Sequence, residues 1–275
     1  MTPAPHPETQ RLLDLIAELR SRLAGLLTQS HDLIHIVRPN LYALYQTKLG
    51  PWELEKLKAQ FRIARLKRIL ELSQAALNHG QPPNLEQILD QVDEDLTLWQ
   101  VKLKEATQKL AQAELRLSHL HTDEHNKDLK KLYYDLVKQL HPDLHPNQDH
   151  GSHQLWQQVQ DAYEAGDLEK LRALSLLLKD NTPAEGSPDA LEQLQAQRTM
   201  LENRITELQQ KITEIESQPP FTLREDLANE DWITKRRLAL EQETEPLKAQ
   251  ADALEKQLQT LHPSPHALGH QFGPN

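Results

Sequence analysis

The chain has 275 residues, of which 37% are hydrophobic and 4% aromatic, and its formal net charge is −10. This charge argues against nucleic acid as a partner, because phosphate binding requires a basic surface. The sequence contains no cysteine, which excludes disulfides, thiol catalysis and cysteine-ligated zinc. The low apolar content and the abundance of Leu, Gln, Glu, Lys and Ala predict an all-α fold of long helices with narrow apolar stripes.

Targeting and catalytic signals are missing from the sequence. No apolar segment approaches the ~18 residues needed to span a membrane, and the start, MTPAPHPETQ, lacks the basic and apolar regions of a signal peptide. We therefore expect a soluble cytoplasmic protein without membrane contact. No phosphate-binding glycine loop or serine nucleophile elbow occurs, so we expect neither an enzyme nor a cofactor.

Residues 1–83 are predicted to form an N-terminal helical region. Apolar residues between Leu12 and Leu26 recur at four- and three-residue spacing, which indicates a first helix. The pattern then loosens, and a short helix is predicted over 40–49. Gly50-Pro51 is predicted to end it, because glycine suits the C′ position and proline suits a first helical turn. A third helix follows over 52–77.

Residues 84–120 are predicted to form one long heptad helix. Asn84 is a suitable N-cap, and apolar residues keep nearly strict heptad spacing as far as Leu120. A helix of about 36 residues would be ~54 Å long, and its apolar stripe requires a partner helix. The turn after the 52–77 helix is short, so antiparallel packing of these two helices is expected.

A second heptad region lies near the C-terminal end. Residues 181–190 are predicted to be a turn-rich linker, and 191–262 are predicted to form a coiled-coil hairpin of two helices separated by Pro219-Pro220. Residues 263–275 have no periodicity and are predicted to be a disordered tail. Heptad stripes fit packing within one chain and also a homodimer or partner-binding coil, and the spacing does not choose between them.

The central segment 127–140, KDLKKLYYDLVKQL, is predicted to be an amphipathic helix facing a core. Its apolar stripe consists of Leu129, Leu132, Tyr133, Leu136, Val137 and Leu140. The helix must end near His141, because Pro142 disfavours helical geometry for the preceding residue and cannot donate a backbone hydrogen bond.

A loop over 141–152 separates this helix from the next, for which Ser152 or Asp149 would be the N-cap. The second helix carries one apolar face over 155–163, and Gly166-Asp167 interrupts it. Two helices joined by such a constrained loop are predicted to pack as an antiparallel hairpin.

These two helices and their loop resemble the J-domain family. The stretch 129–143, LKKLYYDLVKQLHPD, resembles helix II running into the His-Pro-Asp motif, and LWQQVQDAY at 155–163 looks like helix III. The continuation AGDLEKLRALSLLL and the loop sequence HPDLHP are similar to a bacterial subgroup of the family. The resemblance covers about 60 residues and implies a J-domain at 121–180, flanked by long antiparallel coiled-coil-like helices.

The resemblance also implies a partner and a set of binding residues. J-domains dock onto a DnaK-type heat-shock chaperone and stimulate its ATP hydrolysis, so the chain would be a co-chaperone that does no covalent chemistry. The implied chaperone-binding residues are the motif and the helix II residues that match the family's docking face. They are His141, Pro142, Asp143, Lys130, Lys131, Tyr133 and Lys138.

Several positions depart from the family's pattern. Tyr134 and Asp135 stand where basic residues are usual, Leu144 replaces a common basic residue, and segment 121–180 carries 7 Lys/Arg against 11 Asp/Glu. The usual Tyr-x-x-Leu-Gly of helix I is missing, so we infer that helix I is the tail of the long heptad helix, which would hold the J-domain rigidly. These departures support an alternative, a structural or interaction protein whose J-domain lacks chaperone coupling.

Simpler interpretations stand beside the functional ones. His-Pro-Asp also fits a turn that only ends a helix, Tyr133 fits a core aromatic, and the helix II lysines fit an ordinary solvated face. The central histidines match no zinc motif, so we interpret them as solvated loop residues and predict no metal site. Zinc binding through that cluster is the weakest of the functional hypotheses. These histidines are His119, His121, His125, His141, His145, His150 and His153.

Overall fold

The computed structural model describes residues 7–118, 123–146, 148–179 and 191–262, and every regular element within them is helical, which confirms the predicted all-α fold. The predicted linker and tail lie outside the described residues. The α-helices are α1 (Pro7–Asp32), α2 (Arg38–Asn78), α3 (Leu85–Asp95), α4 (Thr97–Ser118), α5 (Asp123–Leu140), α6 (His150–Glu164), α7 (Leu168–Lys179), α8 (Leu191–Glu216), α9 (Arg224–Ala228) and α10 (Glu230–Leu261). A π-helical turn at Leu33–Val37 joins α1 to α2, and a 3-10 turn at Phe221–Leu223 precedes α9.

The chain divides into two units, each assembled from two separate stretches of sequence. Unit one comprises residues 1–41 and 119–223, and unit two comprises 42–118 and 224–275. The first boundary falls inside α2, and the second coincides with the junction 119–122, which lies outside the described residues. The predicted rigid attachment of the central hairpin to the long heptad helix depends on that junction.

Gly50-Pro51 does not end a helix, contrary to the sequence prediction. Helix α2 continues through both residues to Asn78. Proline at position 51 removes a backbone donor and costs roughly 3 kcal/mol in a helix interior. Leu49, beside it, is completely buried. Burial of the helix against its neighbours therefore outweighs the local signal to stop.

The predicted long helix over 84–120 is interrupted at Leu96, which leaves α3 and α4 as separate helices. Asn84 caps α3 as predicted, with its side chain accepting from the backbone of Gln87. Thr97 contributes to the interruption, because its hydroxyl donates to the carbonyls of Asp93 and Glu94 and competes with the helical pattern there.

The core of unit two combines α2, α3 and α10. Its buried members are Ile63, Leu66, Ile69, Ile88, Val92, Ala251 and Leu258. The predicted antiparallel arrangement of α2 and α3–α4 is confirmed by cross-helix contacts: Arg68 donates to Asp95 at 2.7 Å, and the rings of Phe61 and Trp99 are 6.5 Å apart.

The C-terminal heptad helices do not form the predicted hairpin over 191–262. Helix α8 packs along α1 within unit one, whereas α10 belongs to unit two. The predicted heptad residues of α8 are all buried, namely Leu194, Leu201, Ile205, Leu208, Ile212 and Ile215. The apolar stripe of α1 offers α8 an alternative partner within the same chain, and the periodicity of α8 alone could not indicate which stripe it would meet.

Helices α1, α5, α6, α7 and α8 share the core of unit one. Helices α5 and α6 pack against each other and both contact α7, which confirms the predicted pairing of the two central helices. Helix α1 packs on α5 as well as on α8. The loop between α5 and α6 therefore lies beside helices that are distant from it in sequence.

Candidate functional site

The loop after α5 is a tight turn built around the His141-Pro142-Asp143 tripeptide. The backbone amide of Asp143 donates to His141 Nδ1 at 3.0 Å, and the amide of Leu144 donates to the His141 carbonyl at 2.9 Å. Gln148 Nε2 donates to the Leu140 carbonyl at 2.8 Å, which satisfies a carbonyl in the last turn of α5. These hydrogen bonds hold the tripeptide in one conformation and set the direction in which the chain leaves α5.

His141 is held against the second helix of the pair. Its ring meets the Trp156 ring edge-on, with 4.9 Å between centroids. Burial lowers the pKa of His141 from 6.5 to about 4, with Arg204 and His145 lowering it further and Asp143 opposing them. The imidazole is therefore neutral at neutral pH, which agrees with Nδ1 accepting the hydrogen bond from the Asp143 amide.

Asp143 is paired with a basic side chain from α8. Arg204 Nε donates to Asp143 Oδ2 at 2.8 Å, and Arg204 also donates to Glu207 at 3.0 Å. The hydrogen bonds to Asp143 and then Glu207 raise the pKa of Arg204. A groove of about 620 Å³ lies beside the pair, lined on the α8 side by residues that include the exposed Met200.

The helix II lysines have different surroundings. Lys130 Nζ lies 2.8 Å from Asp32 Oδ2 at the end of α1, whereas Lys131 is exposed. Lys138 is also exposed, with its Nζ 5.0 Å from the centroid of the Tyr134 ring. These lysines share one helix, but an acidic residue of α1 already engages Lys130.

Tyr133 lies in the core, and its predicted role in chaperone binding stays a prediction. Its side chain is only 1% exposed and stacks on Tyr163 with 4.0 Å between ring centroids. Its ring also lies 5.8 Å from that of Trp156. Burial raises the pKa of Tyr133 well above its usual value. The sequence interpretation of a core aromatic describes this residue correctly.

Helix α1 covers part of α5, an arrangement that the sequence did not predict. The hydroxyls of Tyr134 and Ser21 are 2.9 Å apart. A second groove, of about 320 Å³, separates α1 from the end of α5 and is lined by both Lys138 and His145. The exposed surface of α5 is consequently narrower than that of an isolated helical hairpin.

Helix α6 is capped by Asp149, one of the two residues predicted for that role, and α7 is capped by Asp167. Asp149 Oδ1 accepts from the Ser152 amide at 2.7 Å, and Asp167 Oδ1 accepts from the Lys170 amide at 2.9 Å. Gly166, between the two helices, has a φ of 71°, a left-handed geometry that glycine adopts without strain. These caps fix where each helix begins.

Among the described residues, the histidines of the central segment do not converge on one point. His125 contacts the Gly166 carbonyl, His145 contacts the Lys138 carbonyl, and His150 contacts Gln154. Two of the predicted cluster, His119 and His121, lie outside the described residues.

Sequence reasoning missed Arg204 and Asp32. Both are ordinary charged residues of helices, and only their contacts with residues distant in sequence connect them to the site.

Comparison with known proteins identifies the central segment. Residues 115–173 match the family model described as DnaJ domain. The match contains both paired helices and the His-Pro-Asp loop, and it begins and ends earlier than the predicted range of 121–180. No curated protein and no solved structure matches the chain. Among the described residues, no helix combines the length and apolar character that crossing a membrane demands.

Proposed function

We propose that this chain, whose residues 115–173 match the DnaJ domain model, is a co-chaperone that binds a DnaK-type heat-shock chaperone and stimulates its ATP hydrolysis. The observation that carries the proposal is the His-Pro-Asp loop, held in one conformation between α5 and α6 within the matched residues. The Asp143 side chain, 27% exposed, is accessible at the surface. The chain itself would catalyse no covalent step.

The contact between Asp143 and Arg204 supports a specific docking chemistry. A carboxylate that accepts a guanidinium N–H at 2.8 Å inside the chain can accept one from a partner in the same way. A chaperone arginine would replace Arg204 at that position. The J-domain would act by binding one state of the chaperone more tightly than another, which shifts the population toward the hydrolysing state.

The lysines of α5 would contribute orientation. Lys131 and Lys138 are exposed and can meet an acidic surface, whereas Lys130 would first have to leave Asp32. The segment 121–180 carries a net charge of −4, so long-range attraction to an acidic partner is weak. We therefore propose that contacts at the His-Pro-Asp loop dominate over electrostatic steering.

The test is the ATPase rate of the cognate DnaK-type chaperone with the full chain added. Wild type should raise the rate several-fold, and Asp143→Asn should abolish the increase. Asp149→Asn is the matched control, because it makes the same change in the same loop and asparagine is an equally good N-cap. Lack of stimulation by wild type, or full stimulation by Asp143→Asn, would contradict the proposal.

A second candidate is an interaction protein in which the J-domain no longer couples to a chaperone. The engagement of Asp143 by Arg204 and the acidic segment support it. This candidate predicts no stimulation by wild type or by Arg204→Ala.

A cytoplasmic location, where the chaperone's ATP is available, and a homodimer are further proposals. Light scattering on the purified chain tests the dimer.

A further inference from the structure

Two histidines and a glutamate meet where the π-helical turn passes the end of α6. His31 Nε2 lies 3.5 Å from Glu164 Oε1, and His35 Nδ1 lies 3.2 Å from the same oxygen. Each of the three side chains offers one potential ligand atom, and these three atoms all lie within 4.8 Å of one another. The two imidazole rings stack with 4.3 Å between centroids. Three potential ligand atoms thus face one small volume.

The backbone at this point is unusual. The π-helical turn Leu33–Val37 contains His35 and follows directly after the α1 residues His31 and Asp32. π-helical turns are rare and are found frequently at functional sites. Here the turn lies in the segment that presents both histidines to Glu164. The π-helical turn therefore sets the position of the His35 backbone relative to that of His31.

The surroundings of His31 suit a metal ligand. Its side chain is only 9% exposed, and its Nε2 atom is buried without a hydrogen-bond partner. A buried polar nitrogen with no hydrogen bond costs free energy, which coordination would recover.

We propose that His31, His35 and Glu164 bind a divalent transition-metal ion, with Zn²⁺ as the best match. Zinc is held by nitrogen and carboxylate oxygen at about 2.0–2.2 Å in tetrahedral geometry, which separates neighbouring ligand atoms by about 3.3–3.5 Å. The distances of 3.5 and 3.2 Å to Glu164 Oε1 are close to this separation. Two imidazoles favour zinc over magnesium or calcium, which prefer oxygen ligands.

Hydrogen bonds and ring contacts of neighbouring residues support the proposed metal site. Asp32, next to His31, accepts hydrogen bonds from Tyr163 and Lys130 and is thereby fixed. The His31 ring packs 5.1 Å from Tyr133 and 5.6 Å from Tyr163. A bound ion would connect the α1 end and π-helical turn to α6, with a fourth position left for water. It would act as a link between elements far apart in sequence.

The test is calorimetric titration of the full chain with zinc chloride at neutral pH. One equivalent should bind with a Kd of about 10 μM or tighter. His35→Gln and Glu164→Gln change exposed side chains and should each weaken binding at least ~10-fold. His153→Gln, which changes an exposed histidine of α6, is the matched control and should leave the affinity unchanged. Far-UV circular dichroism verifies that each variant remains folded.

Cobalt provides a second readout that does not depend on heat signals. Co²⁺ in a four-coordinate nitrogen and oxygen site should give intense visible d–d absorption with wild type and with His153→Gln. Glu164→Gln should lose it. Absence of zinc binding by wild type would overturn the proposal and leave an ion pair between His35 and Glu164. Equal binding by wild type, His35→Gln and Glu164→Gln would overturn it too, because the ion would then bind elsewhere.

Discussion

Arg204 of α8 donates a hydrogen bond to the carboxylate of Asp143 at 2.8 Å, so the acidic residue of the His-Pro-Asp loop already has a partner within its own chain. The two side chains are 45% and 27% exposed. Pairs with this exposure contribute at most ~1 kcal/mol, because water and salt screen them. The contact would therefore compete with an incoming chaperone without preventing its docking.

Arg204→Ala is expected to strengthen the stimulation of a DnaK-type chaperone. Removing a competitor worth up to ~1 kcal/mol raises the apparent affinity about two- to five-fold. The half-maximal concentration of the chain in a chaperone ATPase assay measures this. Arg198→Ala is the matched control, because Arg198 pairs with Glu202 within α8 and does not touch the loop. A weaker response from Arg204→Ala than from wild type would show that Arg204 supports docking.

Acidification is expected to destabilise the fold between about pH 6.5 and pH 4 through His141. Its pKa is lowered to about 4, mainly by burial. Above pH 6.5 the ring is neutral whether the chain is folded or unfolded, and it contributes nothing to pH dependence. Below that pH the unfolded chain binds a proton that the folded chain excludes, so the free energy of unfolding decreases, by at most about 3 kcal/mol at pH 4.

Urea denaturation followed by circular dichroism across this pH range measures the effect. Asp143, Arg204 and His145 influence the His141 ring, and His31 of α1 interacts with it electrostatically. The comparison with His141→Gln isolates the ring, since the other groups remain in both proteins. The variant should show a shallower loss of stability toward pH 4, and identical slopes would refute the assignment.

Tyr133 is expected to affect stability and not docking. Tyr133→Ala would leave a cavity beneath Tyr163 and Trp156 and should lower the free energy of unfolding by roughly 3–5 kcal/mol. Tyr133→Phe keeps the ring and should leave chaperone stimulation unchanged. Chemical denaturation and the ATPase assay separate the two effects. A Tyr133→Phe variant that folds but does not stimulate the chaperone ATPase would indicate that Tyr133 contributes to docking.

Gly25→Ala is expected to stabilise the chain. A Cβ atom at this position of α1 would lie 3.9 Å from Tyr134 Cε2, an ordinary van der Waals contact. Alanine in a helix interior is about 0.5–1 kcal/mol more favourable than glycine, mainly because the unfolded chain loses less freedom on folding. Thermal unfolding measures the gain. A lower melting temperature would indicate that α1 and α5 approach more closely than these distances show.

The sequence predicted short-range features of the fold more successfully than long-range ones. The all-α class, the α5–α6 pair and the caps at Asn84 and Asp149 follow from periodicity and capping chemistry, which act over a few residues. Helix α2 passes through Gly50-Pro51 because burial outweighs a local penalty. The partner of α8 depends on a stripe almost two hundred residues away, and several stripes in the chain have similar spacing.

The residues of the candidate site also differ in whether short-range sequence patterns predict them. The His-Pro-Asp tripeptide can be recognised directly because its three residues are adjacent in sequence. Arg204 becomes relevant only when α8 packs on α1, and nothing in its own neighbourhood distinguishes it from Arg198. His31 and His35 did offer a signal, since a four-residue spacing places two histidines on one side of a helix. Glu164 completes that group only through the tertiary fold.

Unit one also has a consequence for how each new copy is made. Its α1 stripe, including the buried Ile16 and Leu23, is covered by helices of which the last ends at Glu216. At about 5–20 residues per second, a ribosome needs roughly 10–40 s to synthesise the intervening chain. For that time the growing polypeptide displays an apolar helix to the ribosome's surroundings. Every nascent copy therefore leaves these apolar side chains without their full native cover until α8 has been synthesised.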